Sequence, residues 1–157
     1  MENFLILLIC IIQTSVSLRQ RIDNDSLNID CIYRKSYDDH SLFIISMQRN
    51  NQEIENKYIN MNYSLALQYL NYGISQDIYL RLPGRTDSLS AISASYPRQY
   101  GSTGHSSVLL VFPVSKQQLR HGCFITFKGE KLDLGTRHFI FTAQDIQAVH
   151  KVQRADQ

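Results

Sequence analysis

The chain has 157 residues, 43% of them hydrophobic and 19% charged, with a formal net charge of +2. It is apolar enough to bury a core and short enough for one domain, which excludes a disordered chain and a multidomain one. Its five histidines are scattered and it has no Cys-x-x-Cys, so neither a metal site nor a cofactor is expected.

Phe4 to Ile12 form an unbroken apolar run, followed by Gln13, Thr14 and the small residues Ser15 and Ser17 around Val16. The run is too short to cross a bilayer, and the serines stand where a signal peptidase reads. Residues 1–17 are therefore expected to be a secretory signal peptide, with residues 18–157 a single secreted domain beginning at Leu18 and free of the membrane. Cleavage removes Cys10 and leaves Cys31 and Cys123, which in an exported chain read as one disulfide; the alternative is two buried thiols. A bond closing so long a loop contributes roughly 4–5 kcal/mol in the chain-entropy model. Asn24 and Asn62 each begin an Asn-x-Ser triplet, a glycosylation acceptor in a eukaryotic cell.

Residues 18–29 are polar and read as an arm or first strand. Asp38-Asp39 can cap a helix over "SLFIISMQRNNQEI", although "LFII" fits a strand equally well. "NYSLALQYLNYG", residues 62–73, predicts a helix, with Leu65, Tyr69 and Tyr72 on one face, Ala66 and Leu70 beside them, and Gly73 as its stop. Beyond it the pattern is of strands: "IYLRL", "SVLLVF", "CFITF", "RHFIFT" and "IQAVHKV", separated by turn residues as in an antiparallel meander. Helix first and sheet second predicts an α+β domain.

Charge is uneven along the mature chain. Up to Leu80 there are six Lys and Arg against eight Asp and Glu; from Arg81 on there are ten against five, with four of the five histidines. Such a basic half favours a polyanion such as RNA, or simply solvates one face. No Gly-rich phosphate loop, nucleophile elbow or usefully spaced carboxylate pair is present.

The segment "SYPRQYGS", Ser95 to Ser102, resembles the Ser-Tyr-Pro-His-Lys-Tyr segment of the small guanyl-specific fungal ribonucleases. "LLVFPV" is similar to that family's Glu-Trp-Pro-Ile strand. Arg137 with "FIF" is similar to its Arg-Val-Val-Phe strand. His150 lies about where the second catalytic histidine falls, and Cys31 followed by Tyr37 fits the family's beginning. The resemblance implies a microbial-ribonuclease-like fold, a helix packed on an antiparallel sheet. It also implies an RNA site at Tyr96, Arg98, Tyr100, Arg137 and His150, with Tyr96 and Tyr100 able to stack on a base.

The family's chemistry needs a base for the ribose 2′ proton, an acid for the leaving oxygen and a cation for the phosphorane charge. This chain has Val111 where the glutamate base stands and Arg98 in place of the first histidine; only Arg137 and His150 keep the family's residue type. Val111 accepts no proton and Arg98 is always protonated. Loss of a general base costs roughly 10²–10⁴-fold, so the resemblance implies a pseudo-ribonuclease with no catalytic residues. The cysteine-to-tyrosine spacing, 65 residues from Cys31 to Tyr96, is about double that of the enzymes.

A secreted ribonuclease-like chain with a degraded catalytic set resembles the RNase-like effectors of powdery mildew fungi. What this implies is a virulence protein, monomeric, delivered into host cells and acting on host RNA, ribosomal RNA included, or on host proteins by binding. Two other readings remain: an active secreted guanyl-type endoribonuclease using His150, and an unrelated exported β-rich binding or inhibitor protein.

Overall fold

The computed structural model describes residues 16–22, 27–58 and 60–155. Its strands are β1 (Val16–Ile22), β2 (Leu27–Ser36), β3 (Ser41–Arg49), β4 (Gln52–Glu53), β5 (Ile78–Arg81), β6 (Leu89–Ser90), β7 (Ser93–Ser95), β8 (Ser106–Phe112), β9 (Gly122–Lys128) and β10 (Thr136–Thr142). Three α-helices accompany them: α1 (Tyr63–Gln68), α2 (Lys116–Leu119) and α3 (Ala143–Ala155). The class is α+β, with every strand pairing antiparallel.

A two-residue period settles what Asp38-Asp39 precede. Along β3, Ser41, Phe43, Ile45 and Met47 are buried while Leu42, Ile44 and Ser46 are only half-buried, so the segment is a strand and not a helix. Strands β1-β2-β3-β8-β7 follow one another in the first sheet, with β4 on the end of β3. The signal peptide expected over residues 1–17 lies outside the described residues except for Val16 and Ser17, which open β1. A chain starting at Leu18 keeps five of the seven residue pairs between β1 and β2. Asn24 also lies outside the described residues.

The expected C-terminal meander is corrected in two ways. The chain leaves the first sheet after β8, and β9 pairs with β10 and with β5, giving a second sheet of order β10-β9-β5-β6. Residues 146–152, expected as a strand, belong to α3. Ile146, Val149 and His150 are buried at helical spacing. A reciprocal cap fixes the start: Thr142 N–H donates to Asp145 Oδ2 at 2.8 Å, and Asp145 N–H to Thr142 Oγ1 at 3.2 Å. Gly122, at φ +93°, lets the two chains approach at the start of β9, since a Cβ there would stand 2.3 Å from the Phe141 carbonyl oxygen.

The predicted helix over 62–73 forms as α1 and continues through a wider turn, Tyr69–Gly73, and a 3₁₀ turn, Ile74–Asp77. Gly73 does not end it. Ala66, Leu70 and Ile74, four residues apart, face the core, whereas Leu65 and Tyr72 are 61% and 80% exposed.

Inward side chains of both sheets meet in one core. Phe43 is its aromatic centre, with ring centroids 5.1 Å from Tyr33, 5.8 Å from Phe112 and 5.6 Å from Phe141 of the second sheet. Helix α3 packs on β1 and β2 of one sheet and on β9 and β10 of the other. Cys31 and Cys123 are both buried in this core, where the structure has them as free thiols rather than as the expected disulfide. Burial pushes both thiols up, and for Cys31 the neighbouring Cys123 and Asp30 add to the cost of ionisation, which disfavours the thiolate that disulfide exchange requires.

Candidate anion-binding site

The residues singled out by the resemblance are not brought to one place. Arg98, in the exposed loop after β7, donates to Tyr63 Oη at 2.6 Å and stacks over Tyr100, 4.5 Å from its ring centroid. Tyr100 is 79% exposed, but Tyr96 is 7% exposed and its hydroxyl donates to Glu55, so Tyr96 is a packing residue and not a platform for a base. Val111 is half-buried on the outward side of β8, paired with Leu42 and Ser93. Arg137, on β10, donates to the Leu134 carbonyl at 2.6 Å. His150 sits on α3 rather than on a strand. Among the described residues, no hydrogen bond, ion pair or ring contact joins Arg98, Arg137 and His150.

A carboxylate pair that sequence reading missed lies under the same loop. Glu53 and Glu55, two residues apart, are both buried. Glu55 accepts from Tyr96 Oη and, at 2.5 Å, from Ser106 Oγ; Glu53 accepts from the Gly101 amide at 2.8 Å. Their engagement with the loop makes them anchors. In the sequence "QEIE" looks like any solvated acidic turn, and nothing in it marks these two as buried.

His150 occupies a more open setting. It lines a cavity of about 520 Å³ together with Lys116 and Arg120 from the α2 region and Arg154 one turn further along α3. Ser115 and Gln117 add polar groups, and Asp38 is the acid on the rim. The α2 side is held rigidly. Ser115 Oγ accepts from the Gln118 amide at 3.1 Å, the Ser115 amide donates to Gln118 Oε1 at 2.9 Å, and the Lys116 amide donates to the Tyr37 carbonyl at 2.9 Å. Among the described residues none of the three cations is in an ion pair.

Proton counting assigns the His150 tautomer. Ser41 Oγ donates its one proton to the Val114 carbonyl at 2.8 Å, so Ser36 Oγ is the donor in the 2.6 Å contact with Ser41. Tyr33 Oη then donates to Ser36 at 2.5 Å, and the proton in its 2.8 Å contact with His150 belongs to Nε2. Nδ1 is left as the ring's acceptor. Burial first, and then Lys116 and Arg154, hold the imidazole pKa below its usual 6.5, so the ring is neutral at neutral pH and the positive charge of the cavity comes from Lys116, Arg120 and Arg154. Chemically, such a lining suits an anion, and the Nε2 proton is engaged by Tyr33.

The lowered pKa has a stability consequence. The unfolded state takes up the imidazole proton before the folded state does, so this contribution is complete above pH 6.5 and is lost as pH falls below it. Urea midpoints measured between about pH 7 and pH 5 should fall less in His150→Gln than in the wild type; parallel curves would assign the acid sensitivity elsewhere.

Compared with models of known protein families, with curated proteins and with solved structures, the chain finds no match in any of the three.

Proposed function

We propose that the chain is a secreted, non-catalytic protein that binds phosphate-bearing polyanions, RNA foremost, in the manner of the ribonuclease-like effectors its motifs resemble. One observation carries this reading: Lys116, Arg120 and Arg154 surround a single cavity beside a neutral His150, with Asp38 the acid among its lining residues. Three cations with no ion-pair partner among the described residues, converging on one concavity, favour an anion with several oxygens. The leader-like residues 1–17 support export, and the order of the ribonuclease motifs supports the likeness of scaffold. The non-catalytic half rests on Val111, which places an aliphatic side chain where the family has its base, and on a histidine that is neutral and bonded to Tyr33. Host RNA is the partner this reading names first, and host proteins the second.

Fluorescence anisotropy with a labelled single-stranded RNA across a salt series tests it. Contact of three cations with phosphates predicts log K falling against log salt with a slope of about −2. Lys116→Ala, Arg120→Ala and Arg154→Ala should each flatten that slope by about 0.7. No binding at low salt would overturn the reading. RNA cleavage that disappears in His150→Ala would overturn its non-catalytic half.

A further inference from the structure

The outward face of the second sheet carries aromatic and cationic side chains that contact one another across the strands. Alternation sends Ile78, Leu80, Ile125, Phe127, Phe139 and Phe141 into the core and leaves their neighbours on the opposite face. Register then arranges those neighbours in rows. Arg81 pairs with Phe124, and Phe124 with Ile140; Tyr79 pairs with Thr126, and Thr126 with His138; Lys128 pairs with Thr136.

Two features of these rows are unusual for a solvated sheet face. Phe124 and Tyr79 are only half-buried, and Ile140 is 55% exposed. The cations lie against the rings rather than away from them: the Arg81 guanidinium carbon is 4.8 Å from the Phe124 centroid, and Lys128 Nζ is 5.4 Å from that of Tyr79. No residue of the rows is acidic. Glu130, in the turn between β9 and β10, accepts from the Thr136 hydroxyl at 2.5 Å and stays ionised within reach of the Lys128 charge, so it borders the face at its Lys128 end. A shallow depression of about 330 Å³ between Tyr79, Arg81, Thr126, Lys128 and Ser88 marks the middle of the face.

We propose that this face is a stacking platform for single-stranded nucleic acid, with bases on Phe124 and Tyr79 and the intervening phosphates on Arg81 and Lys128. The proposal rests on the polyanion reading above and adds what that reading lacks, a means of engaging bases. Phe124 and Tyr79 are diagonal neighbours on adjacent strands, roughly 7–8 Å apart by sheet geometry, a spacing that consecutive unstacked bases span. A duplex hides its base faces in its own stack, so an open sheet with rings and cations selects single strands. An acidic protein surface would satisfy the cations but would leave the rings and Ile140 without a purpose.

The test compares a labelled uridine decamer with a decamer of the same sugar-phosphate backbone lacking bases. The decamer with bases should bind more tightly, and Phe124→Ala and Tyr79→Ala should each weaken it by about five- to a hundredfold, leaving the abasic strand nearly unaffected. Both side chains lie outside the core, and thermal melting monitored by circular dichroism confirms that the variants fold. The chain has no tryptophan, so Phe124→Trp supplies a single reporter that should bind the decamer and be quenched by it. Equal binding of both decamers overturns the platform and leaves the phosphate reading standing. Base preference that survives the Phe124→Ala, Tyr79→Ala double variant overturns it too, because the bases then stack elsewhere. Binding of neither at low salt overturns the polyanion reading and the platform with it.

Discussion

Phe43→Ala should lower the unfolding free energy by roughly 3–5 kcal/mol. Phe43 is fully buried and touches three other aromatic rings, one of which, Phe141, comes from the opposite sheet. Its removal therefore leaves a void between two sheets rather than within one, where neither backbone can move in without breaking ladder pairs. Tyr33, the ring 5.1 Å away, also holds His150, so loss of its packing partner should reach α3. Urea unfolding measures the effect as a lower midpoint with an unchanged slope. Phe141→Ala borders the same space, so the double variant should lose less than the two single losses combined. Full additivity would mean that the rings act independently and that the sheets are not joined here.

Glu55→Ala ranks second, at roughly 2–6 kcal/mol, because it strips the acceptor from two buried hydroxyls at about 1–3 kcal/mol each. Tyr96 and Ser106 both donate to Glu55, and Ser106 Oγ in turn accepts from the Ile54 amide at 2.9 Å. The network ties β7, β8 and the turn after β4 together beneath the loop over 97–105. Tyr96→Phe removes one hydroxyl while keeping the ring, so it should cost about 1–3 kcal/mol. The order Glu55→Ala above Tyr96→Phe is the diagnostic result, read from chemical unfolding. A Tyr96→Phe variant as stable as the wild type would show that this hydroxyl does not serve the carboxylate.

Strand positions were legible wherever apolar residues stood between turn signals: "IYLRL", "SVLLVF", "CFITF" and "RHFIFT" each became a strand within a residue or two at either end. The division into two sheets was not, because the pairing of β5 with β9 joins segments far apart in the chain and nothing local announces it. Residues 146–152 were misread because Ile146, Ala148 and Val152 also fit an alternating pattern. The discriminating signal, Thr142 three residues before Asp145, stands just upstream of the apolar run. His150 drew notice for its place in a family pattern, whereas its setting comes from α2, whose cations look ordinary until the chain folds them against α3. Glu53 and Glu55 were invisible for the opposite reason. Carboxylates are usually solvated, and only the arrival of Tyr96, Ser106 and Gly101 from distant sequence makes these two interior.

The buried thiols set a race for any copy of this chain made in an oxidising compartment. Until β2 and β9 close over them, Cys31 and Cys123 are open to oxidants and to each other; afterwards they are sealed and held protonated. In the folded protein an oxidant reaches this pair only when the chain opens, so the sulfurs are guarded by the same core that they help to fill.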